Sequence, residues 1–233
     1  MTASVMTQRF LLIFSLGGLL GTAMTAQAQA TYDSVPNVPD HYRKMTEKFR
    51  AEKVTKGRII FLGNSITEGG DWKQLLKDTS VVNRGISGDN TFGILARLDE
   101  VTRHKPAKIF LLIGVNDLSK NIPVEVVIQN IFSIVGRIHG ESPGTLVYVQ
   151  SILPVNPGNK NFMARFNKQS EIETINAQLA KYHEALKYTF VNLFPHFQDH
   201  TSALDPKYTY DGLHLSQAGY IHWVSCLKKE KCL

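Results

Sequence analysis

The sequence is poor in the features that would mark several common classes. Two cysteines in 233 residues exclude a disulfide scaffold and a cysteine-built zinc site. No apolar run approaches the ~18 residues of a membrane-spanning helix, and the longest, Phe10–Leu20, has eleven. There is no internal repeat and no low-complexity tract. The phosphate-cradling pattern G-x-x-x-x-G-K-[ST] is also missing. The seven histidines other than His214 are read as forming no pattern of paired metal ligands, so no metal and no other cofactor is expected, and "DHT" at Asp199 reads as a surface turn. The net charge is +6, but Lys and Arg are scattered, with one cluster at Lys228–Lys231. That distribution describes a solvated surface rather than a nucleic-acid interface.

What is there begins with an apolar leader. Arg9 precedes "FLLIFSLGGLL", and Ala28-Gln29-Ala30 offers small residues to a signal peptidase. Residues 1–30 are therefore expected to be an export signal cleaved after Ala30 or Ala28, giving a periplasmic or secreted chain with no stable membrane anchor. Residues 31–57 read as a lead-in and 58–233 as one domain, long enough for a well-buried core. Cys226 and Cys232 would meet an oxidising compartment, so a small disulfide pinning the C-terminus is expected, with two unpaired thiols as the alternative. Six residues apart, they could bridge only if the helix ends between them.

From residue 58 onward, strand and helix patterns alternate. Strand candidates are Arg58–Gly63, Val81–Gly85, Lys108–Gly114, Thr145–Leu153 and Tyr188–Phe194. Helical spacing appears in Asp71–Ser80, in Val124, Val127, Ile128, Ile131, Val135 and Ile138, and in Ser170–Leu186. A last helix, 216–229, opens on a serine cap. Apolar strands joined by helices imply an α/β fold: a flavodoxin-like three-layer α/β/α sandwich around a five-stranded parallel sheet. In such sheets functional groups collect at the C-terminal strand ends.

Those ends carry Gly63-Asn64-Ser65, then "NRGISGDN" with Gly88, then "GVND" with Asn116 and, after the fifth strand, "YDGLH" with Asp211 and His214. Taken singly, each has a structural explanation. Ser65 could cap a helix, Gly88 could sit in a turn with Asp89 or Thr91 capping the next helix, and Asn116-Asp117 could be an Asx turn. Together they supply what acyl transfer requires: a hydroxyl, a base, a group that orients the base, and donors for an oxyanion. Asp211 is also the only acid in the chain placed three residues before a histidine.

The four blocks "GNSIT", "NRGISGDN", "GVND" and "DGLH", in this order, resemble the SGNH hydrolases of the GDSL esterase/lipase superfamily over residues 58–228. The second block is similar to that of the platelet-activating-factor acetylhydrolase and bacterial acetylesterase group. The resemblance implies Ser65 as nucleophile, His214 as base and Asp211 as its orienter. It implies an oxyanion hole made by the N–H groups of Ser65 and Gly88 with the Asn116 amide. Asn64 stands where the family name has Asp. The implied function is serine-dependent ester hydrolysis of a short acyl group on a small-molecule or glycan ester. The alternatives are a lysophospholipase or broader lipase, and a non-catalytic glycan- or phosphate-binding module. A histidine base must be unprotonated, so activity should rise through about pH 6–8. The loop 154–167 is placed to overhang the site, with Phe162, Phe166, Tyr208 and Tyr210 as candidates for an acyl or sugar platform.

Overall fold

The computed structural model describes residues 40–233; the expected export signal lies outside them. Five strands, β1 (Ile59–Gly63), β2 (Val81–Gly85), β3 (Lys108–Leu112), β4 (Leu146–Gln150) and β5 (Thr189–Val191), form one sheet in the order β2-β1-β3-β4-β5. Every neighbouring pair is parallel. The chain steps outward from β1 to β2, then crosses back to β3 and continues the other way. The crevice beyond the ends of β1, β2 and β3 is therefore the switch point at which such sheets bind ligands.

The pleat sends alternate residues to opposite layers. Phe61, Phe110 and Tyr148 are register partners on β1, β3 and β4, and their rings stack at 4.8 and 4.6 Å. Trp72, in the short helix α3 (Trp72–Leu76), lies flat on Phe61 at 3.9 Å. It meets Trp223 of α8 (Gln217–Lys229) edge-on at 4.8 Å, and Trp223 Nε1 donates to Gln150 Oε1 on β4 at 2.7 Å. Behind the opposite face, α4 (Thr91–Thr102), α6 (Val124–Glu141) and α7 (Gln169–Tyr182) pack side by side. The buried side of α6 is Val127, Ile131, Ile134, Val135 and Ile138, the i, i+3/i+4 stripe its sequence encodes.

Several boundaries differ from the sequence expectation for identifiable reasons. α3 stops at Leu76 because Lys77 takes a left-handed conformation (φ 53°) and Asp78 N–H bonds back to Lys73 O. β4 ends at Gln150, although Ser151, Ile152 and Leu153 remain buried. There Asn176 of α7 replaces a neighbouring strand, accepting from Ile152 N–H (2.8 Å) and donating to Ile152 O (2.9 Å). A helix the sequence reading did not assign, α1 (Asp40–Ala51), packs on α4, with the Tyr42 hydroxyl donating to Gly93 O at 2.8 Å and Phe49 buried beneath the Arg84 guanidinium.

The expected disulfide is corrected: Cys226 and Cys232 are free, buried thiols. Cys226 lies within α8, its sulfur 3.7 Å from His222 Nε2. The helix does end between them, yet the turn that ends it sends Cys232 N–H to Leu227 O and Cys232 O to Lys108 Nζ (2.7 Å). These bonds anchor the C-terminus.

Trp72 is 1% exposed and sits where β1, α8 and the Ser65 turn meet. Trp72→Ala should cost about 3–5 kcal/mol of unfolding free energy, read from urea denaturation. A loss under about 1 kcal/mol would show that the aromatic stack does not organise this layer.

Candidate active site

The serine turn is built by its neighbours. Ser65 does not cap the following helix; it is the first residue of α2 (Ser65–Glu68), and Asn64 is the cap, its Oδ1 accepting from Ile66 N–H at 3.0 Å. Asn64 is fully buried, so a carboxamide performs the capping without burying a charge. The turn is then fastened from three sides. Trp72 Nε1 donates to Thr67 O, Asn83 Nδ2 reaches the carbonyls of Thr67, Glu68 and Gly70, and the Tyr220 hydroxyl donates to Ile66 O at 2.8 Å. Ser65 itself remains half-buried, facing the crevice.

Across the crevice, Thr209 and Leu215 pair as an antiparallel bridge that closes a tight turn around Asp211–His214. Asp211 Oδ1 accepts from the N–H groups of Leu213 (2.9 Å) and His214 (2.7 Å), while Oδ2 meets His214 Nδ1 at 2.7 Å. The other ring nitrogen, His214 Nε2, lies 2.9 Å from Ser65 Oγ. Partial burial pushes Asp211 up, but the bonds from the His214 ring and the two N–H groups outweigh it and hold the carboxyl below its ordinary value. A carboxylate that stays ionised can orient the imidazole, and the imidazole can take a proton from the hydroxyl.

Gly88 and Asn116 stand on the loops of β2 and β3, the two strands flanking β1. Gly88 has φ +81°, and a Cβ there would meet only open space, so the conformation rather than crowding calls for glycine. Asn116, in α5 (Val115–Ser119), donates through Nδ2 to Asp89 O at 2.8 Å, tying the two loops together across the end of β1. The amide keeps a second N–H for a ligand. Glu68, which the sequence reading did not single out, holds the residue before Gly88. Its Oε2 accepts from Ser87 N–H (2.6 Å) and from the Ser87 hydroxyl, and its Oε1 meets His41 Nε2 of α1 at 2.8 Å. The "DNT" segment is capped by Asn90, neither Asp89 nor Thr91, with Oδ1 accepting from Gly93 N–H.

The aromatic candidates separate. Phe166 is core, Phe162 is half-buried, and Tyr208 stacks on His222 at 4.3 Å. Tyr210 alone is open, 60% exposed, its ring parallel to that of His214 at 5.9 Å. Asp199 closes a local turn by accepting from Thr201 and Ala203 N–H, as "DHT" suggested.

Beneath the loops lies a buried charge layer. Arg97, 0% exposed, donates to Asp89 Oδ2 (2.9 Å), Glu100 Oε1 (3.3 Å), Gly63 O (3.3 Å) and Arg84 O (2.8 Å). Burial pushes Asp89 up to about 6, although Arg97 pulls against it. Burial likewise pushes Asp117 up to about 7, opposed by its bonds from Thr91 and reinforced by nearby Asp89. A raised carboxyl means that the folded chain binds more protons than the unfolded one between the ordinary carboxylate range and pH 7. Stability contributed at Asp117 therefore falls as pH rises through that window, by at most about 1.4 kcal/mol per unit. Asp117→Asn removes this dependence, so the melting temperature of the wild type minus that of the variant should decrease from pH 5 to 8. A difference that is constant with pH would contradict the assignment.

Comparison with known proteins identifies the family. Residues 61–221 match the model of the GDSL-like Lipase/Acylhydrolase family. Platelet-activating factor acetylhydrolase IB subunit alpha1 of Rattus norvegicus is 29% identical over 168 residues, covering 70% of this chain and 69% of that protein. An arylesterase of Vibrio mimicus is 28% identical, covering 67% and 79%. A solved structure from Streptococcus pneumonia, whose description names a platelet activating factor, is 32% identical and superposes with a TM-score of 0.76 over 89% of this chain and 98% of that one. With the family model matched across most of its length, the chain belongs to the GDSL-like lipase/acylhydrolase family and is a carboxylic ester hydrolase.

Proposed function

We propose that Ser65 is the nucleophile of a two-step hydrolysis of short acyl esters, acetyl above all, with acetylated carbohydrate as the substrate class. The observation that carries this reading is the unbroken row Ser65 Oγ–His214–Asp211, at 2.9 and 2.7 Å. As Oγ attacks the ester carbonyl, His214 Nε2 takes its proton and then delivers it to the departing alcohol. Water deprotonated by the same nitrogen attacks the acyl-serine, and the acid leaves as Ser65 regains its proton. The N–H groups of Ser65 and Gly88 and the free N–H of Asn116 stabilise the oxyanion. A donor of this kind contributes about 10²–10³ in rate. No step calls on a metal or other cofactor.

The preference for short chains has two supports. Two of the relatives have descriptions naming platelet-activating-factor acetylhydrolase and arylesterase. A long chain would need an apolar groove, at about 0.8 kcal/mol per buried methylene. The loop over the site spends Phe166 in the core and leaves Met163 as its one exposed large apolar side chain. The apolar leader supports export, with cleavage near Ala30.

The test is a series of p-nitrophenyl esters from acetate to palmitate. kcat/KM should be highest at acetate, rise through about pH 6–8, and fall by at least about 10⁴-fold in Ser65→Ala. A Ser65→Ala protein that retains activity would overturn the mechanism. A kcat/KM that climbs steadily toward palmitate would replace the short-acyl reading with a lipase.

A further inference from the structure

Beside the Asp211–His214 turn, a cleft of ≈ 350 Å³ lies between the loop after β4 and Tyr210, its walls including Asn156, Asn159, Lys160 and Asn161. That volume is at the small end of the range for ligand sites, about 300–1,000 Å³. We infer that this cleft is the subsite for the alcohol part of the substrate, and that it takes a pyranose sugar bearing the ester. The inference rests on the esterase reading above and adds to it where the leaving group sits and which side chains recognise it.

The side of the site follows from the chemistry of His214. The nitrogen that protonates the leaving oxygen is Nε2, so the alcohol must emerge next to the imidazole, away from the oxyanion donors on the β2 and β3 loops. Tyr210 is the ring lying parallel to that imidazole, 5.9 Å away and tilted by 11°. The cleft begins at Tyr210. Its far wall is joined rigidly to the same turn: Asn156 N–H donates to Gly212 O at 2.8 Å. At Gly212 (φ +85°) a Cβ would come within 2.4 Å of Asn156 O and 3.1 Å of Asn159 Cβ. Only glycine allows this approach, which places the polar wall against the Asp211–His214 turn.

The lining leaves polar groups unused in a way that suits a sugar. Asn156 is satisfied within the protein, by Leu204 O and Gly158 N–H. Asn159 uses only its Oδ1, on Asn161 N–H, leaving its NH₂ group over. The Asn161 side chain, Lys160 Nζ and the Tyr210 hydroxyl have no partner among the described residues. Carboxamides donate and accept at once, and so match vicinal hydroxyls, while an exposed aromatic ring offers a flat face to the C–H face of a pyranose. An alkyl leaving group would use none of these groups. A quaternary ammonium head would find no acid in the lining and would face Lys160.

The decisive measurement compares kcat/KM on partially acetylated xylo-, gluco- and mannotrioses with kcat/KM on ethyl acetate, which presents the same acyl group without a ring. The wild type should favour at least one acetylated triose by tenfold or more. Tyr210→Ala and the double variant Asn159→Ala/Lys160→Ala should each cut that ratio about tenfold, mainly through KM. A wild type showing no preference for any triose, or variants leaving the ratio unchanged, would overturn the subsite. If the wild type fails to hydrolyse p-nitrophenyl acetate as well, the esterase reading falls, and the subsite with it. Activity on that ester with no triose effect removes the subsite alone.

Discussion

The 2.9 Å contact between Ser65 Oγ and His214 Nε2 joins residues 149 positions apart, and the surrounding structure is arranged to keep both ends still. On the serine side, the Asn64 cap, Trp72 and Asn83 fix the turn. On the histidine side, Asp211 holds the ring and two backbone N–H groups, and the Thr209 hydroxyl donates to His214 O at 2.6 Å. Helix α8 links the two. It starts at the Ser216 cap, two residues past His214, and within its first turn sends the Tyr220 hydroxyl back to Ile66 O. One short helix therefore sets the distance between hydroxyl and imidazole, and a rigid pair of groups is what positioning requires.

The charge layer under the loops has a different role. Arg97 and Arg84 share Glu100, and Arg84 also reaches Glu52 and lies over the Phe49 ring at 4.3 Å. Ion pairs this deep carry a large desolvation cost, so they add little stability compared with an apolar core, but losing one partner strands the other and costs about 3–5 kcal/mol. Their geometric effect is clear. Arg97 bonds Gly63 O, at the end of β1, and Arg84 O, one residue before the end of β2, and Asp89, its partner, supplies the carbonyl on which Asn116 rests. The layer joins the three strand ends from which the proposed oxyanion donors project.

Much of this was legible in the sequence because it depends on local pattern. Val81–Gly85 is a strand to the residue, the α6 stripe follows its 3.6-residue period, and Ser216 caps α8 as its position implied. The Ser65, Gly88, Asn116 and Asp211/His214 positions followed from strand-end logic and from the order of the four blocks. The supports were less visible because they act between segments distant in sequence. Glu68 and Ser87 are ordinary loop and helix residues until the fold brings them together. Arg97 did leave a trace, a charged residue three after Ile94 and three before Glu100, its buried ion-pair partner, on a helix face that also carries Ile94, Leu98 and Val101. Helix α1 is polar overall, so the one face on which Phe49 is buried stands out little in composition, and the helix is held by contacts to α4. The thiols could not be decided from spacing alone, since the bonds that turn the C-terminus come from Leu227 and Lys108.

The proposed chemistry depends on Ser65 being the group that is acylated. A fluorophosphonate reacts fastest with a hydroxyl activated by a neighbouring base and faced by oxyanion donors, so rapid labelling reports on the whole arrangement at once. Peptide mass spectrometry of the labelled protein should find one adduct, on the peptide containing Ser65, forming at the same rate as esterase activity is lost. An adduct on another residue, or full loss of activity with Ser65 unmodified, would contradict it.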